Sequence, residues 1–184
     1  FCPPQPLNKK MSLNINKLSN EVFIAVDEIV KFDAEAISFL KERAKESSIG
    51  RSRICAHKKT DDLLHEMLIA ISSDSYIRPH RHANKAESFH LIEGNADIVV
   101  FSDDGSINEI IKLGKEDNFY YRLDSPYYHT LLINSPYLII HEITNGPFDN
   151  SESDFAGFSP FEGSKEAKKY IDELRLLVKD HKEN

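Results

Sequence analysis

The middle of the chain, from Arg51 to Thr144, is a series of short apolar segments interrupted by turns. Turns such as Glu93-Gly94-Asn95 and Asp103-Asp104-Gly105 follow each other closely, and no segment has the length of a typical helix. Short strands at this spacing favour an antiparallel sandwich or barrel, so we predict a mainly β fold. The predicted strands are Arg53–His57, Met67–Ser72, Tyr76–His80, Glu87–Glu93, Ala96–Ser102, Ile107–Leu113, Asn118–Leu123, His129–Ile133 and Tyr137–Ile143.

Helices are predicted on both sides of this β region. Asp33 can cap a helix over Ala34–Glu46, which has an apolar stripe, and a short strand over Glu21–Ala25 precedes it. Ser164 can cap a C-terminal amphipathic helix over Lys165–His181. We therefore divide the chain into residues 1–12, expected to be disordered or derived from upstream or cloning sequence, a single β domain over 13–163, and a C-terminal helix over 164–184 that covers the domain or joins a dimer.

Composition limits the classes of partner. The 184 residues suffice for one full core. The net charge of −7 is made of mixed acidic and basic residues without a basic patch or helix-turn-helix pattern, which argues against nucleic acid. No apolar stretch approaches the roughly 18 residues of a membrane span. Cys2 and Cys55 do not form a disulfide framework, and we expect a buried free thiol at Cys55 and a cytoplasmic protein.

The segment PHRHANKAESFHLIEG carries the chemistry, with the spacing H-x-H-x4-E-x6-G. Because side chains two apart on a strand share a face, His80 and His82 can offer two imidazoles to one point while Arg81 faces away. The turn over residues 83–86 can return the Glu87 carboxylate to that point. His129, which follows a proline-containing turn and leads into an apolar strand, is the candidate fourth ligand. Imidazoles and a carboxylate at one centre suit a divalent transition metal.

Together these residues resemble the two metal motifs of the cupin superfamily, three histidines and one glutamate in a small jelly-roll barrel. The first motif matches at every ligand, although Asp74 stands where its leading glycine is usual. In the second motif Pro126 replaces a glycine, and the usual asparagine is displaced to Asn134. The resemblance implies a single cupin (double-stranded β-helix) barrel that binds one divalent metal ion, either Zn, Fe, Mn or Ni.

The flanking segments are similar to those of WbuC-type cupin-fold metalloproteins, small proteins often associated with bacterial O-antigen and surface-polysaccharide biosynthesis. The matching segments are RSRICAH from Arg51, DLLHEMLIAI from Asp62, YIRPHRH from Tyr76, NGPFD from Asn145 and FAGFSP from Phe155. The similarity covers most of the chain, about residues 32–162, and implies a cytoplasmic protein linked to sugar metabolism. It does not supply a reaction.

Four further residues are candidates for the site. Arg78 shares strand parity with His80 and His82, so it should point inward and hold an anionic group on a small ligand; a salt bridge to Glu142 or Asp97 is the alternative. Arg51 and His57 match positions of the similar family and could reach the barrel mouth. His57 and Tyr127 could carry a proton to or from a ligand, and Tyr127 shares parity with His129.

Three kinds of function stay open. The first is a metalloenzyme acting on a sugar or nucleotide-sugar, as an isomerase or epimerase; the second is a metal-dependent small-molecule dioxygenase; the third is a non-catalytic sugar- or metal-binding module. We also expect an electropositive cavity mouth, with few inward carboxylates beyond Glu87, and a homodimer, because the strand Glu21–Ala25 could add to a partner's sheet.

Overall fold

The computed structural model describes residues 13–148 and 153–183. Within these ranges the chain forms twelve strands and the two helices α1 (Ala34–Glu46) and α2 (Glu166–Glu183). The strands are β1 (Ile15–Lys17), β2 (Val22–Ala25), β3 (Arg51–Cys55), β4 (Leu64–Ser72), β5 (His80–His82), β6 (Glu87–Glu93), β7 (Ala96–Phe101), β8 (Ile107–Leu113), β9 (Tyr120–Leu123), β10 (Tyr128–Ile133), β11 (Tyr137–Asn145) and β12 (Ser153–Phe155).

The strands form two sheets that face each other. The large sheet has the order β1-β2-β3-β4-β11-β6-β9, and the small sheet has the order β12-β5-β10-β7-β8. From β4 to β11 the chain passes repeatedly from one sheet to the other, which is the pattern of a jelly roll. The predicted mainly β jelly roll with a helix at each end is therefore confirmed, as an open sandwich instead of a closed barrel.

Three apolar clusters hold the layers together. The inner cluster lies between the sheets and includes Ile98, Leu131 and Ile140. On the outer face of the large sheet, Leu40 of α1 packs in a second cluster, and Asp33 caps that helix as predicted by accepting hydrogen bonds from two backbone N–H groups. On the outer face of the small sheet, Val178 of α2 packs in a third. The apolar stripe of α2 thus covers its own jelly roll.

The turn between β6 and β7 explains the glycine of the histidine motif. Gly94 has φ of +89°, in the left-handed region that side chains disfavour, and a Cβ at this position would collide with the carbonyl oxygen of Tyr137. A glycine here lets β6 turn directly into β7, so that the strand carrying Glu87 stays close to β11.

Several predicted boundaries differ from the structure. The predicted strand Tyr76–His80 is wrong, since the segment before Pro79 is irregular and β5 begins only at His80. The short strands β1 and β12 were not predicted, because three residues give too little periodicity to recognise. The strand expected to be available to a partner is already paired within the chain, since β2 lies between β1 and β3.

Other expectations concern the surface and the termini. Cys55 is a buried free thiol on β3, as predicted, and its burial raises the pKa of the thiol. Among the described residues, neither helix combines the length and the apolar character needed to cross a membrane. Residues 1–12 lie outside the described ranges.

Candidate metal centre and cavity

Three histidines meet on the inner face of the small sheet. His129 of β10 lies directly opposite His80 of β5 in the antiparallel register, and His82 lies two residues further along β5. Directly opposed residues on paired strands have adjacent side chains, so this register brings the imidazoles together. The ring centroid of His80 lies 5.0 Å from that of His82 and 4.7 Å from that of His129.

Glu87 reaches the same point from the large sheet. The turn between β5 and β6 is held by Asn145 at the end of β11, whose side chain accepts a hydrogen bond of 2.7 Å from the Ala86 N–H and donates to the Asn84 carbonyl. The Glu87 carboxylate then lies 3.5 Å from His82 Nε2 and 3.4 Å from His129 Nε2. The ligand atoms of His80, His82, Glu87 and His129 all lie within 4.8 Å of one another.

Backbone contacts orient the imidazoles. Nδ1 of His80 lies 2.9 Å from the carbonyl oxygen of Arg78, and Nδ1 of His129 lies 3.1 Å from that of Tyr127. A carbonyl only accepts hydrogen bonds, so Nδ1 carries the proton in both rings and Nε2 presents a lone pair to the cluster. This is the arrangement found around metal-binding histidines, in which the second nitrogen is fixed by an outer partner.

The electrostatics of the cluster also suit a cation. Burial lowers the pKa of His80 to about 4, so this imidazole is neutral near pH 7. Burial acts to raise the pKa of Glu87, but the adjacent His129 and His82 outweigh it and keep the carboxyl ionised. For His129, burial acts to lower the pKa and is outweighed by Glu87, so the pKa is raised.

A buried nitrogen atom of His129 gives further evidence that these four residues fit a metal ion. His129 is only 1% exposed, and its Nε2 is buried without a hydrogen-bond partner. Leaving a buried polar atom without a partner costs about 1–3 kcal/mol, which a metal bond at Nε2 would remove. Two ligands on opposite sides of one ion lie about 4.2 Å apart, so small side-chain movements would let all four residues bind one divalent ion.

A cavity of about 460 Å³ opens beside this cluster. It lies between the two sheets, and its walls combine apolar side chains such as Ile69, Leu131 and Ile140 with charged residues. His80, His82 and Glu87 line it as well, so a molecule in the cavity can reach the cluster. The volume is in the range of small-molecule sites.

Arg78 lines this cavity although it is not on a regular strand. Its guanidinium donates hydrogen bonds to the Ser159 hydroxyl at 3.3 Å and the Ala156 carbonyl at 3.0 Å, and lies over the rings of Phe155 and Phe161. No carboxylate among the described residues forms an ion pair with it, so neither Glu142 nor Asp97 is its partner. Its position follows from the irregular segment and not from strand parity.

Arg51 and His57 also line the cavity but have partners. Arg51 forms an ion pair of 2.5 Å with Glu162 and donates to the Tyr76 carbonyl at 3.0 Å. His57 stacks on His65 with ring centroids 4.0 Å apart, and its Nδ1 faces the backbone of Glu66. Burial and the adjacent His65 lower the pKa of His57, so its imidazole is neutral near pH 7.

Tyr127 does not belong to the cavity wall. Its side chain is 47% exposed, and it precedes β10 instead of continuing the alternation of that strand. Only its backbone carbonyl reaches the cluster, through His129. The structure thus gives the Tyr127 phenol no position from which it could exchange a proton with a molecule in the cavity.

Several charged residues of the wall were not among the predicted site residues, and Arg53 and Glu142 are two of them. Arg53 is on the inward side of β3 with Arg51, a parity visible in the sequence Arg-Ser-Arg. Glu142 is on the inward side of β11. Burial, and then the Glu87 carboxylate, raise the pKa of Glu142 to about 8, against the opposing effects of Arg53 and His129. The expectation of few inward carboxylates beyond Glu87 is therefore wrong: Glu21, Glu142 and Glu162 also line the cavity.

Comparisons with known proteins agree with the fold. A family described as a domain of unknown function, DUF6016, matches residues 32–113, a range that includes three of the four clustered residues but not His129. No curated protein matches the sequence. The fold is similar to that of protein SO0799 from Shewanella oneidensis, with a TM-score of 0.50 and 10% identity over 59% of this chain and 75% of that chain.

Two further solved structures are similar over about half of this chain. A mutant of the oxalate decarboxylase OxdC from Bacillus subtilis has a TM-score of 0.41 and 19% identity over 51% of this chain and 24% of that chain. CapF in complex with 3-isopropenyl-tropolone has a TM-score of 0.46 and 17% identity over 57% of this chain and 31% of that chain. The match spans about a quarter to a third of those two proteins.

Proposed function

We propose that this protein is a metal-dependent cupin of the WbuC type that acts on a sugar or nucleotide-sugar in surface-polysaccharide biosynthesis. The observation that carries the metal part is the convergence of His80, His82, Glu87 and His129, in which the buried Nε2 of His129 faces the Glu87 carboxylate without a hydrogen bond. The sugar part rests on the resemblance of the flanking segments to WbuC-type proteins. The proposal includes a reducing, cytoplasmic location, which the free thiol of Cys55 supports.

The shape and charge of the cavity support a small anionic ligand. A volume of about 460 Å³ accepts a sugar-sized group beside the metal ligands. Arg78 and Arg53 line the wall without an ion-pair partner among the described residues, whereas Arg51 is paired with Glu162. A carboxylate or phosphate would satisfy the unpaired guanidinium groups by charge-assisted hydrogen bonds.

Each residue has a distinct part in this proposal. His80, His82, Glu87 and His129 would hold the metal, which would supply a Lewis acid for ligand oxygens. Arg78, fixed by Ser159 and Ala156, orients the anionic group of the ligand. His57, neutral and at the wall, can accept a proton from a ligand atom within its reach.

The test begins with elemental analysis of protein purified without added metal, followed by a thermal-stabilisation screen against nucleotide-sugars. We expect about one divalent transition metal per chain and a rise in melting temperature with at least one nucleotide-sugar. The His82→Ala variant should lose the bound metal and the rise in melting temperature. The His90→Ala variant should keep the metal and the rise, because His90 lies on the outer face of β6. Absence of metal in both proteins would refute the metal site, and stabilisation by no sugar would refute the substrate class.

The identity of the metal separates the alternatives. A redox-inactive metal at full occupancy would contradict a dioxygenase, because activation of oxygen needs a redox-active centre. Iron together with no stabilisation by sugars would favour the dioxygenase over the proposed function. Metal binding with no turnover of any stabilising sugar would favour a non-catalytic binding module.

A further inference from the structure

The side chain of Glu142 is an unexplained carboxyl group on the wall of the cavity. It lies on the inward face of β11, between Ile140 and Thr144, which line the same cavity. Its neighbours in register on the two adjacent strands are Met67 of β4 and Phe89 of β6, both buried and apolar. The fold therefore places this carboxyl group between apolar side chains on both adjacent strands.

This carboxyl group has no polar partner among the described residues. Glu87, by contrast, lies against His82 and His129, and Glu162 is paired with Arg51. Arg53 acts on Glu142 electrostatically but its guanidinium contacts the Met67 sulfur instead, at 3.8 Å. Polar groups in apolar surroundings are normally hydrogen-bonded, so an unpartnered carboxyl at a cavity wall suggests a partner that enters from the cavity.

Glu142 is also at a defined position relative to the metal cluster. Glu87 pairs with Thr144, and Glu142 pairs with Phe89, so the two glutamates are diagonal neighbours on the inner face of β6 and β11. Diagonal neighbours on paired strands lie about 7–8 Å apart. A molecule with a short carbon chain can therefore contact the metal with one end and Glu142 with the other.

We propose that Glu142 is a specificity-determining residue of this cavity, which forms a hydrogen bond with a hydroxyl group of a ligand whose carboxylate and neighbouring hydroxyl bind the metal. The inference rests on the proposed function, since it assumes a ligand at the metal, and it names the ligand class as a hydroxylated acid or sugar acid with a distal hydroxyl group. An apolar chain end would leave the carboxyl without a partner and is disfavoured.

The test compares two acids that differ by one hydroxyl group, 2,4-dihydroxybutanoate and 2-hydroxybutanoate. Their binding is measured by titration calorimetry to protein that carries the metal identified by elemental analysis. We expect the dihydroxy acid to bind at least about tenfold more tightly to the wild-type protein, because one satisfied hydrogen bond to a carboxyl group is worth a factor of this order.

Two variants test whether Glu142 causes the tighter binding of the dihydroxy acid. Glu142→Met has a similar shape without the carboxyl group, and it should bind both acids equally while its metal content and its affinity for 2-hydroxybutanoate are unchanged. Glu66→Gln, which removes a carboxylate from the outer face of β4, where it faces His141, should keep the tenfold preference.

The outcomes separate the inference from the proposed function. If both acids bind the wild-type protein with equal affinity, or if Glu142→Met keeps the preference, the inference is overturned and the metal-bound anion stands. If neither acid binds the metal-loaded wild-type protein, binding of an anion at the metal is refuted, and the inference is refuted with it.

Discussion

Replacement of Glu142 by glutamine should change how the stability of the metal-free protein depends on pH. The apolar neighbours Met67 and Phe89 and the nearby Glu87 disfavour the charged form of this carboxyl, and its pKa rises from an ordinary 4.5 to about 8. A carboxyl whose pKa is higher in the folded state stabilises the fold below its unfolded pKa. That contribution is lost as the pH rises from 4.5 through about 8.

The magnitude follows from the difference between the two pKa values. One pKa unit corresponds to about 1.36 kcal/mol, so a difference of about 3.5 gives an upper limit of about 5 kcal/mol. Water that enters the open cavity would reduce this, and we expect a loss of a few kcal/mol in the wild-type protein. Glu142→Gln cannot ionise and should not show the loss. The difference in free energy of unfolding between Glu142→Gln and the wild-type protein should therefore grow in favour of the variant from pH 5 to pH 9, a range of about four pH units.

Urea unfolding in the presence of a chelator, repeated across this pH range, measures the effect. The charged groups that act on Glu142 are Glu87 from β6, Arg53 from β3 and His129 from β10. Both proteins contain these groups, so their own titration cancels in the difference between the two free energies of unfolding. Glu66→Gln controls for the loss of one negative charge outside the cavity. A difference that is constant across the pH range would refute the reasoning.

Four other measurements test further parts of the structure. His129→Ala should lose the bound metal, and with it about 4 kcal/mol of stability at a free metal concentration about 1,000 times the dissociation constant; equal melting temperatures would contradict this. Arg78→Lys should weaken the binding of 2-hydroxybutanoate about tenfold without a change in metal content, because lysine lacks the planar fork. Val178→Asp should destabilise the protein by more than about 3 kcal/mol in urea unfolding, since Val178 is 3% exposed and packs on the small sheet. Light scattering should show a homodimer, and a monomer at micromolar concentration would refute it; β1, the edge strand of the large sheet, now replaces β2 as the strand that could pair.

The strands that the sequence predicted well are those with strong local patterns. β6 and β8 have the predicted bounds, and α1 begins after the predicted cap Asp33. Apolar alternation and capping act over a few residues, so they can be recognised without knowledge of the rest of the chain. β1 and β12 could not be recognised, because each has three residues and exists only through pairing with a distant neighbour.

Within the site, the sequence reveals the candidate metal ligands more readily than the other residues of the cavity wall. Three ligands, His80, His82 and Glu87, follow a motif of fixed spacing that implies one point of convergence, and His129 was identified by its place after a proline-containing turn and before an apolar strand. Glu142 follows apolar residues of both parities on β11, from Leu138 to Ile140, so the sequence does not reveal which face of that strand is inside. Tyr127 has the parity of His129, but β10 begins only after it, and the alternation does not extend to a residue outside the strand.

The resemblance to cupins implied the jelly-roll form. By itself, then, the sequence determined a mainly β sandwich or barrel with a helix on each side, and the four residues that could hold a divalent metal. Both depend on local periodicity and on residue chemistry, which every segment carries within itself. Only the tertiary structure decided which other side chains reach the cavity. It placed Arg78 in contact with Ser159 and Phe161, and it set Glu142 diagonal to Glu87 across β6 and β11. These contacts depend on the register of strands far apart in the chain, which no local pattern specifies.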